Sequence, residues 1–585
     1  MRLLIILLFL FLTQANLDAQ RMFQHPVIQL LGPELMNLSD HNSELLSYQG
    51  LGTRRFCETS NFLRNRQVYF HWTPFYTSSN GFGAFQLPFG EHGLRLIQAA
   101  GQTDLSGGYS WTLPKDIAQS VLFQSQWRQQ WQDDNQDGFN DYQNGRHHQL
   151  IHNLWKQHRR WIFSLFSTYL NAEQHQGQAR FKWSEDRLSD SIYGYGNENE
   201  QWRTLFSAQR NYSKGRLYLT ANLQGRREEG AIGQRELASQ ENRQGVAASY
   251  EHEEQKHRSQ ILGLAERQRI EQAWDNWQDQ QKWFHVGLGL RHQRFLSGNW
   301  LVKASARLDR HTFTGWQLLP GLKGDYLGIK DIRLSISAGR DYRLPRLLED
   351  GQDYLVSQRA WNIGTYGTDQ IWFIGAGAQS DIYHLGEIKQ QFKLTYRLQD
   401  YQQRYLIDPS IPSEVTVTTE KGGMANQHLF MGTLQTHYRN WKWTSAIVWQ
   451  DTELPYQTGE QQRFFTSRLA SFNSLTLLRR INRQQKQAWD FRLDHLWRSP
   501  QPLPNGEESP HLHDLRIHLE TGRTLASKRN EKVKVFTGVE NLLDQRQEIL
   551  FQNPDNPFAS NFDGSSIWGN ALGRRWYAGI RLELY

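Results

Sequence analysis

Hydrophobic and polar residues alternate with a period of two through most of this chain. In its last stretch Trp576, Ala578, Ile580, Leu582 and Leu584 interleave with Arg575, Tyr577, Gly579, Arg581 and Glu583. That period puts successive side chains on opposite faces of a β-strand. The pattern recurs at Leu217, Leu219, Ala221 and Leu223, and at Phe284, Val286, Leu288 and Leu290. After LSGN at 296–299 it returns at Trp300, Val302, Ala304, Ala306 and Leu308, which predicts a hairpin. Ile332 to Ala338, Trp441 to Trp449, Trp489 to Trp497 and Leu515 to Leu519 carry it further. SQILGLAERQRIEQAW, 259–274, fits either a helix within a loop or a strand running into a loop, with the strand favoured.

The connections differ in length. RN at 439–440 and SKRNEK at 527–532 are short, whereas 345–370, 403–428, 498–511 and 544–573 read as long and polar. Short turns opposite long loops are the pattern of a transmembrane barrel, whose strands need only about ten tilted residues to cross. The expected fold class is all-β, a transmembrane antiparallel outer-membrane β-barrel over residues 93–585. At a repeat of about 22 residues it would hold roughly 22 strands. A soluble sandwich gives no reason for one end to carry the long loops.

The chain opens with Arg2 and a ten-residue apolar run, Leu3 to Leu12. That run is too short to span as a helix and suits a signal peptide over 1–19, cut at Ala19-Gln20. Residues 20–92 are expected to form an N-terminal segment, a shortened plug-like region. Mean hydropathy is −0.72, which excludes a helical membrane protein and leaves a barrel open. Aromatic residues make up 13% of the chain, with 22 Trp and 23 Tyr, in keeping with interfacial girdles. The single cysteine, Cys57, excludes an intramolecular disulfide. Net charge is +7, but acidic and basic residues alternate, so no nucleic-acid partner is expected.

One stretch has metal-ligand spacing. In DDNQDGFND, Asp133, Asn135, Asp137 and Asp141 stand at positions 1, 3, 5 and 9 of a calcium loop, with Gly138 at the turn. Position 12 is Asn144 rather than Glu, so calcium would bind weakly, and an acidic solvated turn is the competing reading. His147, His148 and His152 suggest zinc. On a strand, however, His148 and His152 lie about 13 Å apart, too far to share one ion; girdle or lumen histidines are expected. GxSxG, HExxH and GxxxxGK[ST] are all missing, and no enzyme is expected.

The C-terminal residues resemble TonB-dependent outer-membrane receptors. VFTGVENLLDQRQ, with Asn541, Leu542 and Asp544, is similar to their penultimate strand and its turn. The segment 555–584 resembles the last external loop and closing strand through Trp568, Gly569, Gly573, Arg574, Tyr577 and Gly579. SISAGRDYRLPRL looks like a strand end of these receptors through Gly339, Arg340, Tyr342 and Arg343, and AWNIG at 360–364 like the strand after it. The resemblance covers about residues 93–584. It departs at the front, where about 70 residues stand in place of a full plug and no coupling box is evident. It implies a receptor or transporter in a Gram-negative outer membrane, binding a scarce small solute on external loops and passing it through the lumen. The implied partners are membrane lipid and either a TonB-type coupling protein or a separate plug protein, with no cofactor required beyond the possible calcium. The alternative is a plugless or partner-plugged barrel acting as pore, adhesin or scaffold. The solute and the ligand-binding residues are not legible.

Overall fold

A computed structural model describes residues 68–76, 92–99 and, with gaps, 102–584; the longest gaps are 460–466 and 565–572. The signal segment, Cys57 and most of the N-terminal segment fall outside the described residues. Among the described residues a single sheet of 25 strands makes up the fold. From His92–Ala99 to Arg575–Leu584 each strand pairs antiparallel with the next. Two short strands stand outside that series. Ala360–Ile363 lies within a connection and pairs parallel with Glu414–Tyr438, and Tyr383–Leu385 continues Asp369–Ser380 along Ile388–Asp408. Setting these aside with Val68–Tyr76 leaves a series of 22 strands, the expected number. The first and last of the series are bridged by Val68–Tyr76, antiparallel to Arg575–Leu584 and parallel to His92–Ala99. The N-terminal segment therefore contributes a strand to the sheet, which the boundary at residue 93 did not anticipate.

Because each strand reverses the last, connections fall alternately at two ends. One end carries two-residue turns at 159–160, 213–214, 298–299, 330–331, 386–387 and 439–440. Asp331 and Arg439 there have positive φ, 60° and 53°, as tight hairpins that match strand twist demand. The other end carries the long connections, 129–143, 178–193, 344–368, 454–468, 499–511 and 541–574. One expected loop is corrected. Residues 403–428 are mostly strand, because Ile388–Asp408 and Glu414–Tyr438 run 21 and 25 residues and rise past any bilayer. Above the membrane neither face needs to be apolar, so alternation fades while the ladder continues. The ambiguous stretch 259–274 lies within one strand, His257–Trp274.

The alternating apolar residues face outward. Phe284, Val286, Leu288 and Leu290 are 41–59% exposed, while Trp283 and His285, on the other face of the strand, are buried. Four such positions cover about 20 Å of strand, close to the height of a lipid-facing band. Leu308, Leu318, Leu322, Ile336 and Ile374 continue the band across neighbouring strands. His148 sits on that face against exposed Trp127, with ring centroids 5.3 Å apart, and bonds Ser125 Oγ; His152 bonds Gln119.

Candidate functional site

The long connections fold over one another into a cap. Phe139 from the acidic loop stacks on Phe551 at 4.4 Å and on Phe562 at 5.9 Å, both from the last connection. Tyr193 packs on Phe562 at 4.7 Å, and Leu348 and Leu355 of the 344–368 connection close the same cluster. Phe139, Tyr193 and Phe562 are all 0% exposed. Beside the cluster, Gly194 lets the Phe181 ring approach, since a Cβ there would collide with it. Polar contacts tie the loops together. Arg359 Nη2 meets Asp563 Oδ2 at 2.5 Å, and Arg235 donates to the carbonyls of Ser357, Gln358 and Arg359. Gln358 N donates to Phe562 O and Gly564 N to Val356 O. Beneath them Ala360–Ile363 lies along buried Val415 and Val417.

The acidic loop forms one wall of this cap. Asp133 accepts the backbone N–H groups of Asp137 (3.1 Å) and Gly138 (3.0 Å). Asp137 accepts from Phe139 N at 2.9 Å and from Asn135 Nδ2 at 2.8 Å, and Asn135 Nδ2 also reaches Glu548 O. Gly138 has φ +81°, as its place in the turn requires. The structure thus gathers Asp133, Asn135 and Asp137, while buried Asp141 is anchored by its N–H to Gln132 O. Burial, the largest influence, raises the Asp137 carboxyl above its ordinary range, against the lowering effect of its two donors. Among the described residues no three of His, Cys, Asp and Glu group closely enough to hold a metal ion.

The motif residues turn out to be joints. Asn541, in positive φ (46°), exchanges side-chain hydrogen bonds with the backbone of Gln545, and its own N–H reaches Asp514. Leu542 N donates to Leu515 O, and Leu542 O accepts from Arg574 Nε. Asp544 accepts from Arg574 N at 2.6 Å, which is the chief reason its carboxyl titrates below the usual range. These bonds clamp the start of the closing strand onto the end of the strand before it. Gly573 lies against the Arg546 guanidinium. Gly339 lets the Phe373 ring approach, a Cβ there standing 2.8 Å away. Arg340 donates to Gln317 and Gln370, Tyr342 Oη to Asp309, and Arg343 lies 3.9 Å from Asp369. Tyr577 and Gly579 pair with Gly538 and Phe536. Trp568 and Gly569 lie outside the described residues.

Below the cap the inner wall is charged. Asp309, fully buried, gathers Arg307 (2.9 Å), His285 (3.3 Å) and Tyr342 (3.3 Å). Arg243 and Glu266 pair at 2.7 Å, and Gln268 donates to Glu241 beside them. Arg404 joins Asp369 and lies over the Tyr401 ring at 4.2 Å; Arg397 lies 4.1 Å over Phe373. Sequence reasoning expects polar lumen residues but missed these pairings. Their only signal was charge at the positions between outward apolar residues, and the partners sit on separate strands.

No protein-family model and no curated protein matches the sequence. Solved structures do match the fold. A variant of the ferric enterobactin receptor PfeA of Pseudomonas aeruginosa, in complex with enterobactin, aligns with a TM-score of 0.62 at 11% identity, over 82% of this chain and 78% of that one. The siderophore receptor PirA of Acinetobacter baumannii gives 0.59 at 12%, over 82% and 78%. BauA, the ferric preacinetobactin receptor of the same organism, gives 0.56 at 10%, over 82% and 77%. The chain has the fold of Gram-negative outer-membrane siderophore receptors. That is the fold its C-terminal residues led one to expect.

Proposed function

We propose that this chain is an outer-membrane receptor that takes up a ferric siderophore or a chelate of similar size. The observation that supports this most is the pairing of a 22-strand series with a cap of interlocked long loops at one end only. A plain pore or scaffold has no need of buried aromatic loop packing over its mouth. A small chelate would meet the cap first and then a lumen wall lined with guanidinium groups and aromatic rings, which suit an anionic aromatic solute. Release into the periplasm would call on a TonB-type coupling protein. Ferric siderophores titrated into the purified full chain quench tryptophan fluorescence saturably, and in planar bilayers the unliganded protein stays closed. A steady open conductance with no saturable quenching would instead indicate the pore, adhesin or scaffold alternative.

The acidic loop adds a separate test. Calcium binding would relieve the cost of burying Asp137 and order one wall of the cap. With no Glu at the twelfth position, the expected dissociation constant is about 10⁻⁴–10⁻³ M. Calorimetric titration of wild type shows binding that Asp137→Ala loses. Equal binding by both, or none at millimolar calcium, leaves the loop a hydrogen-bonded acidic turn.

A further inference from the structure

We propose a second binding site, on the lipid-facing surface: Arg267, Arg269, Lys282 and Arg310 hold a phosphate-bearing lipid headgroup of the external leaflet. All four side chains are exposed. Strand register places them together. Arg269 stands opposite Lys282, Arg267 opposite Phe284, and Arg310 opposite Val286. Residues directly opposite share a face, so the four cations lie on the face of exposed Phe284 and Val286, where the apolar band begins. Adjacent strands are about 4.8 Å apart and alternate residues about 7 Å, so the group spans about 15 Å. His257–Trp274 and Trp300–His311 both end at the long-connection side, which places this rim at the external surface.

Four cations share one carboxylate on that face, Glu271, which pairs with Arg269 and also attracts Lys282, so positive charge is in excess. Glu271 is held by Arg269 Nε at 2.9 Å and by Gln280. Among the described residues Arg267 and Lys282 form no ion pair. Arg310 lies 5.5 Å over the ring of Trp316, itself 62% exposed, as interfacial tryptophans are. A free anion would use the cations alone. A lipid uses both halves of the surface, phosphate on the guanidinium and ammonium groups and acyl chains on Phe284, Val286 and Leu288 just below.

The test uses the full chain in a neutral detergent, titrated with didecanoyl phosphatidic acid or didecanoyl phosphatidylcholine. Phosphatidic acid binds at least about tenfold more tightly, and the difference shrinks as salt rises. Arg267→Gln/Lys282→Gln/Arg310→Gln weakens it on the order of 100-fold. Arg294→Gln, exposed at the opposite end of the same strand, leaves it unchanged. Heat-modifiable gel mobility confirms that the triple variant is folded; otherwise Lys282→Gln alone, with about a fivefold loss, serves. Equal affinity for the two lipids, or a folded variant that binds like wild type, overturns the proposal. So does displacement of phosphatidic acid by equimolar inorganic phosphate. Siderophore binding at the cap stands or falls separately.

Discussion

Leu288→Arg lowers the stability of the bilayer-embedded protein by about 2–4 kcal/mol and impairs its assembly. The residue is 59% exposed and sits in the middle of four outward apolar positions on its strand. In a water-soluble protein an exposed leucine replaced by arginine changes stability by no more than about 0.5 kcal/mol. The expected cost is large only because the medium touching Leu288 is hydrocarbon, where a guanidinium must either shed water or drag it in. Gln278→Arg makes the control. It lies on the same face of the same strand but beyond the band, is exposed, and should have little effect. Urea unfolding in lipid vesicles compares the two. Equal effects would mean that the band does not face lipid.

The second large effect falls on the cap. Phe562→Ala removes a ring that is 0% exposed and packs on Phe139, Phe551 and Tyr193. Truncating a buried phenylalanine costs about 3–5 kcal/mol. Here the loss is local, because the cap is joined to the barrel through loops and the ladders below are independent of it. Hydrogen exchange should therefore accelerate across 131–141 and 551–564, and proteases should cut there. Heat-modifiable mobility of the barrel should not change. A global loss of barrel stability would show that cap and wall form one cooperative unit, contrary to this expectation.

How much of this was legible beforehand depends on the medium each residue meets. The lipid band was legible, because hydrocarbon imposes an unbroken apolar requirement on every second residue; Phe284 to Leu290 could be assigned a face without knowing any neighbour. Residues 403–428 were misread for the converse reason. Above the bilayer, water on one side and polar lumen on the other remove the alternation, and a strand of 25 residues looks like a loop. The inner wall was legible only as polar residues between the outward apolar ones, not as pairs. Arg243 and Glu266 are 23 residues apart in sequence, and only the register between their strands brings them to 2.7 Å. The motif residues were legible as a family pattern but not as parts. That Asn541 and Asp544 clamp the closing strand follows from two positive φ angles and a hydrogen bond to Arg574, none of which a residue pattern states. The acidic loop was legible in its spacing, and the structure adds that it stacks into the aromatic cap through Phe139.

The most direct measurement is uptake of radiolabelled iron by intact Gram-negative cells that lack their own siderophore receptors and express this chain. With a ferric siderophore supplied outside, the receptor reading predicts saturable accumulation that stops when the proton-motive force is collapsed or the TonB-type coupling protein is deleted. Accumulation that persists unchanged after both treatments, or no accumulation across a panel of ferric siderophores by a barrel confirmed in the outer membrane, would contradict it.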